Sequence, residues 1–171
     1  MANGIKHFSN RPRVHDYLME FKRDVLDYYD CFTVGESPMT TPEIALRYIS
    51  EGPDKVLDEM IAFSHMEGDC IMTDMIPRPF SLKKVKRAFS EWQTKLEGRA
   101  WNALYIENHD HPRIISRYGS EVYRRESGKM LAAMYILQRG TPFIYQGQEI
   151  GMLNIQLPRP DMYRDVATHN N

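Results

Sequence analysis

Residues 101–119 read WNALYIENHDHPRIISRYG. The apolar stretch Ala103 to Ile106 is bounded by polar residues, which is the signature of a short buried strand. It stops abruptly at Glu107, Asn108, His109, Asp110 and His111, and Arg113 and Arg117 follow. A strand that delivers this many ionisable groups at one end is expected to leave a sheet interior and emerge into a cleft. Charges at such a rim are unfavourable unless paired or used, so the two arginines are expected to offset part of the carboxylate charge.

Working outward, three more short apolar runs read as strands: Cys31 to Val34, Val56 to Phe63 and Pro142 to Tyr145. Asp58 and Glu59 interrupt the second of them. Between the runs lie helical stripes. Val14, Leu18, Phe21, Val25 and Tyr28 recur at spacings of four and three, as do Leu82, Val85, Phe89, Trp92 and Leu96 ahead of Gly98. A third helix is expected over Ser127 to Arg139, stopped by Gly140. A fourth is expected from Thr41-Pro42-Glu43 to near Gly52, with Thr40 and Glu43 at capping-box spacing. Helix and strand therefore alternate, which predicts a parallel sheet with right-handed crossovers. The pattern alone leaves an open sheet and a barrel both standing. No G-x-G-x-x-G or phosphate-binding loop follows any strand, which counts against a nucleotide fold.

Composition excludes several classes. The chain has 171 residues, 42% hydrophobic and 26% charged, with a net charge of −1. That balance suits one soluble core and offers no general field for nucleic acid or anionic lipid. The basic run Lys83-Lys84-Val85-Lys86-Arg87 reads as the solvated face of a helix, because no aromatic-interleaved stripe accompanies it. Cys31 and Cys70 have no paired spacing, which fits a reducing, cytoplasmic setting and no structural zinc. The longest apolar stretch, Met130 to Leu137, is too short to cross a bilayer. The N-terminus lacks a signal-like apolar core.

Ligands of parallel α/β folds meet the carboxyl ends of the strands. Three strand ends here carry chemical groups: FTVGE with Glu36, YIENHD with Asp110, and FIYQGQE with Gln146, Gln148 and Glu149. One reading is an ion-pair network that only organises loops. The other is a pair of carboxylates converging on one cleft, the layout of acid/base hydrolysis. Residues alone lead as far as a hydrolase with paired carboxylates, for which a naive assignment would make Glu36 the acid and Asp110 the nucleophile.

The stretches NRPRVHDYL, FTVGE, WNALYIENHDHPRIISRYG, GKMLAAMYILQRGTPFIYQGQEIGM and DMYRDV together resemble the α-amylase superfamily of retaining glycoside hydrolases. Within it they resemble the oligo-1,6-glucosidase, α-glucosidase and trehalose-6-phosphate hydrolase branch. The resemblance implies a partial (β/α)8 TIM barrel, about strands five to eight with their helices. The N-terminal half-barrel and a C-terminal β domain would lie outside this single catalytic fragment. It implies that Glu36 is the general acid/base, that Asp110 is the transition-state stabiliser, and that His109 and Arg113 contact the sugar. Arg117 would brace the loop.

The family's nucleophile sits in a G-F-R-x-D motif that would precede NRPRVH. Phe21-Lys22-Arg23-Asp24 resembles it only superficially, because it lies inside a helical stripe. The expectation is thus a glucosidase fragment acting on short α-glucosides, inactive alone. The alternative is a non-catalytic sugar- or partner-binding domain of the same fold. No cofactor or metal is expected. Partners would be an oligosaccharide and, through unpaired strand edges, other copies of the chain. His111 stands where glutamine is common in the branch, and Ser64-His65 replaces its usual Glu-His. Gln148 often appears there as Glu, and neither it nor His65 is assigned a role in chemistry.

Overall fold

A computed structural model describes residues 7, 10–71 and 76–164. Asp165 and Val166 of the closing DMYRDV lie outside the described residues. The chain divides into two compact units, one of Met1–Ile106 with Ala132–Ile144, the other of Glu107–Leu131 with Tyr145–Asn171.

The first unit is built on four parallel strands: β1 (Val34–Glu36), β2 (Glu59–Ile61), β5 (Ala103–Leu104) and β6 (Thr141–Pro142), in the order β1-β2-β5-β6. A two-stranded antiparallel ribbon, β3 (Cys70–Ile71) and β4 (Ile76–Pro77), stands apart from that sheet and has no counterpart in the sequence reading. In the main sheet β1 and β2 pair with Val34 opposite Glu59 and Glu36 opposite Ile61. Asp58 sets this register. Its Oδ2 accepts from the Thr33 amide and hydroxyl, each at 2.8 Å, while its own amide donates to Thr33 Oγ1 at 3.0 Å. The polar residues that seemed to interrupt a long strand therefore fasten its start. The strand is only Glu59–Ile61, shorter than Val56 to Phe63.

Over residues 10–71 and 76–164 the α-helices are α1 (Val14–Asp24), α2 (Pro42–Ile49), α3 (Leu82–Leu96), α4 (Ile114–Tyr118) and α5 (Arg124–Ile136). Proline occupies the first turn of α2, where its missing N–H is not needed. The cap is Thr41, whose hydroxyl accepts from the Ile44 amide at 3.4 Å. Thr40, expected to cap, is instead buried and accepts from Asn10 Nδ2 at 3.2 Å. α3 buries Val85, Trp92 and Leu96 of the expected stripe together with Ala88, and its basic residues stay exposed around Val85. Gly98 adopts φ 67° and ends it.

One apolar cluster joins Ala45, Leu46 and Ile49 of α2, Met60 of β2, and Trp92 and Leu96 of α3. Val14 and Leu18 of α1 pack against it, but Phe21, Val25 and Tyr28 of the same predicted stripe are exposed. α1 ends at Asp24, which pairs with Arg23 in solvent. This is the behaviour of a helix-end residue and not of a strand-end nucleophile.

Among the described residues of this unit, one carboxyl is buried. Glu59 is 1% exposed at the start of β2. The Thr141 hydroxyl donates to its Oε1 and itself accepts from Trp101 Nε1 at 3.0 Å. Oε2 has no hydrogen bond among the described residues. Burial raises the Glu59 pKa above its ordinary value. The Thr141 bond opposes the rise, Asp58 adds to it and Lys55 reduces it. A carboxyl with a raised pKa in the folded state stabilises fully below its unfolded pKa, and that contribution is lost as pH rises through the folded value. Urea midpoints are therefore expected to fall as pH is raised above about 4.5, and Glu59→Gln is expected to remove that slope. An unchanged slope in the variant would place the effect elsewhere.

Candidate active site

Glu36 closes β1 with its side chain exposed, at the carboxyl end of a parallel strand. Gly35 before it permits close packing, since a Cβ there would lie 2.5 Å from Leu57 Cδ1. The strand begins at Val34, so Cys31 and Phe32 belong to an exposed approach and not to the ladder. At the end of β2, His65 is buried and stacked on Phe89, with centroids 4.9 Å apart, and meets the edge of Tyr105. It is a packed histidine. Ser64 accepts from Trp92 Nε1 at 2.9 Å.

The second unit starts where β5 has delivered the chain. Asn108 folds the next residues into a turn, its Oδ1 accepting from the amides of Asp110 and His111 at 3.0 Å each. His109 and Asp110 project from this turn with 73% and 57% of their side-chain surface exposed, His109 Nε2 lying 3.4 Å from Asp110 Oδ1. Arg113 does not pair with Asp110. Its Nη1 donates to Glu107 Oε1 and, at 2.8 Å, to the Gln146 carbonyl. Its guanidinium also lies 4.7 Å from the Tyr145 ring centroid, and Nη2 is 3.1 Å from Met152 Sδ. Gly147 makes room for this, with φ 88° and a position where a Cβ would come 3.3 Å from Nη2. Arg117 lies 5.2 Å from the Tyr118 ring centroid. Gln148 Oε1 accepts from the Tyr145 amide at 3.0 Å, a local turn contact.

Glu36 thus belongs to the first unit, and His109, Asp110 and Arg113 to the second. His109 and Asp110 are brought side by side, while Arg113 is engaged by Glu107. Sequence reading gave Glu107 no role of its own. A six-residue separation matches no helical or strand pairing rule, so nothing local announced the bond. Among the described residues there is no cluster of three or more His, Cys, Asp and Glu suited to a metal ion. Among them, too, no helix is long and apolar enough to cross a membrane.

The alpha amylase catalytic domain family matches residues 1–170, and the chain belongs to that family of glycoside hydrolases. It is 44% identical to the oligo-1,6-glucosidase of Parageobacillus thermoglucosidasius, a match covering 99% of this chain and 30% of that protein. It is 41% identical to the trehalose-6-phosphate hydrolase of Bacillus subtilis, with the same two coverages. The crystal structure of Bacillus licheniformis trehalose-6-phosphate hydrolase superposes with a TM-score of 0.88 at 41% identity, over 99% of this chain and 31% of that one. The fold is accordingly part of a (β/α)8 barrel. The chain spans about 30% of the length of the curated relatives it matches.

Proposed function

We propose that these residues form the back half of the catalytic barrel of a retaining α-glucosidase that cleaves terminal α-glucosidic bonds in short oligosaccharides. Isomalto- or malto-oligosaccharides, or trehalose 6-phosphate, are the candidate substrates. One observation carries the reading: the motifs shared with the family fall at carboxyl ends of parallel strands. Glu36 closes β1, and Glu107 to Asp110 follow β5. In barrels of this kind that end holds the chemistry.

Glu36 is assigned the proton transfers. Its carboxyl protonates the departing glycosidic oxygen, and its carboxylate then removes a proton from the incoming water. Asp110 places a negative charge beside the oxocarbenium-like sugar, and His109 donates a hydrogen bond to that sugar. The covalent step needs a carboxylate nucleophile. Asp24, the nearest motif match, ends α1 paired with Arg23, so the nucleophile is assigned to sequence outside these residues. The chain alone is then inactive. The two free cysteines suit a cytoplasmic setting. The test joins this chain to the remaining length of an oligo-1,6-glucosidase relative and follows aryl α-glucoside cleavage by proton NMR. Release of the α-anomer first supports the reading; the β-anomer first contradicts it.

Self-association is proposed as well. Among the described residues β1 and β6 each have one neighbour in the sheet, which leaves an edge without a described partner on either side. Phe32, Tyr28 and Tyr29 are exposed close to β1 in sequence. Open edges beside apolar surface recruit further strands. Sedimentation of the isolated chain at micromolar concentration is expected to show dimers or larger species; a clean monomer would contradict this.

A further inference from the structure

We infer that Glu107 and Arg113 are positioning residues that clamp the base of the turn carrying His109 and Asp110, so that Arg113 acts through Glu107 and not by touching the sugar. The inference rests on the glucosidase reading for the role of that turn, but its geometry stands independently. Glu107 has 1% of its side-chain surface exposed and Arg113 17%, so neither is laid out as a surface ion pair. Both carboxylate oxygens are satisfied: Oε1 by Arg113 Nη1, and Oε2 by the Ile114 amide at 2.9 Å. A carboxylate this deeply buried is tolerated only when paired and hydrogen-bonded.

The two bonds tie Glu107 to Arg113 and to Ile114, and so close the loop 107–113 at its base. Asn108 folds the interior of that loop, and His109 and Asp110 stand at its tip. Arg113 then ties the loop base to the segment after Tyr145. It donates to the Gln146 carbonyl, packs on the Tyr145 ring and, through its own amide, donates to Asn154 Oδ1 at 2.7 Å. Its guanidinium is thereby surrounded by protein partners. A site residue is effective only if its geometry is held by a supporting layer of packing and hydrogen bonds. The sequence places that layer on either side of the chemical residues themselves.

The experiment uses the 171-residue chain and two variants, Glu107→Gln and Arg113→Lys. Amide exchange is followed residue by residue, together with binding of the iminosugar deoxynojirimycin, a mimic of the charged glucosyl transition state. Exchange of the Asp110 and His111 amides is expected to accelerate by at least about 10-fold in both variants, the scale of a lost charge-assisted hydrogen bond. Amides of Met60 and Ala103 in the first unit are expected to keep their rates, which separates a loosened loop from general unfolding. Iminosugar binding should weaken in both variants by similar factors, although Glu107 is closed off from solvent.

Unchanged exchange at Asp110 and His111 in both variants overturns the inference. So does loss of binding in Arg113→Lys with Glu107→Gln unaffected, because that pattern marks Arg113 as a direct sugar contact. If the parent chain binds no iminosugar while the exchange prediction holds, the clamp stands and binding is compared in the barrel completed with the remaining length of a glucosidase relative; no binding there is what fails the glucosidase reading of the turn.

Discussion

Replacing Trp92 with alanine is expected to lower the unfolding free energy by about 3–5 kcal/mol, the range for truncating a buried aromatic. Trp92 is 4% exposed and sits where α2, β2 and α3 meet in one cluster. The neighbours that would have to fill the space are Ile49, Met60 and Leu96, all buried on backbone already fixed in helix or strand. The indole Nε1 also donates to Ser64 Oγ at 2.9 Å, so the change strands a polar group as well as opening a cavity. Domains of ordinary stability have about 5–15 kcal/mol in total, so the loss is expected to take most of the margin. Urea denaturation followed by circular dichroism should show the midpoint falling by about 1–3 M for a typical dependence on denaturant. Trp92→Phe, which keeps most of the volume, should fall far less. Equal shifts in the two variants would mean that the hydrogen bond, and not packing, holds this corner.

The second large effect concerns Glu36. In a barrel completed with the remaining length of a glucosidase relative, Glu36→Gln is expected to reduce kcat/KM for isomaltose or maltose by about 100- to 10,000-fold, the usual contribution of a general acid/base. Glutamine keeps the shape of the side chain and removes only the proton chemistry. The loss should depend on the leaving group. A nitrophenolate departs without being protonated, so the first step of an aryl glucoside should survive and a burst should appear before slow turnover. A sugar leaving group needs the proton and should show no burst. Equal losses on both substrates would argue that Glu36 is needed for folding or binding and not for proton transfer.

Much of this was readable from the residues. The alternation of periodic and short apolar segments gave the parallel sheet, because helical stripes such as Val85, Trp92 and Leu96 are buried where spacing places them. The same logic overreached at α1. Phe21 and Val25 share the stripe of Val14 and Leu18, yet only the first turns of the helix meet the core. Periodicity reports that a face is apolar; it does not say what lies opposite. Strand lengths were overread for a related reason. Tyr105 and Ile106 are as buried as Ala103 and Leu104, but the ladder stops at Leu104. Burial and strand pairing leave the same apolar mark in a sequence.

In the candidate site, the strand-end positions of Glu36 and the NHD residues were legible because the motif sits where an apolar run turns polar. The partner of Arg113 was not. Pairing with a nearby carboxylate was expected, but the choice of Glu107 depends on a loop closing on itself, and on Gln146, Met152 and Asn154 arriving from more than thirty residues away. In sequence, Glu59 looks like an interruption of a strand. Its burial beside Thr141 depends on β5 lying between β2 and β6, a fact of topology that no window of sequence contains.

The 171-residue chain alone, incubated with p-nitrophenyl α-glucoside while nitrophenolate release is followed, separates a complete active site from a partial one. In the proposed glucosidase, this chain holds the acid/base and the stabilising carboxylate while the nucleophile lies elsewhere. No release above buffer is expected from the isolated chain, and release is expected once the remaining barrel is supplied. Steady release by the chain alone, abolished by Glu36→Gln, would contradict this division and place a complete active site within these residues.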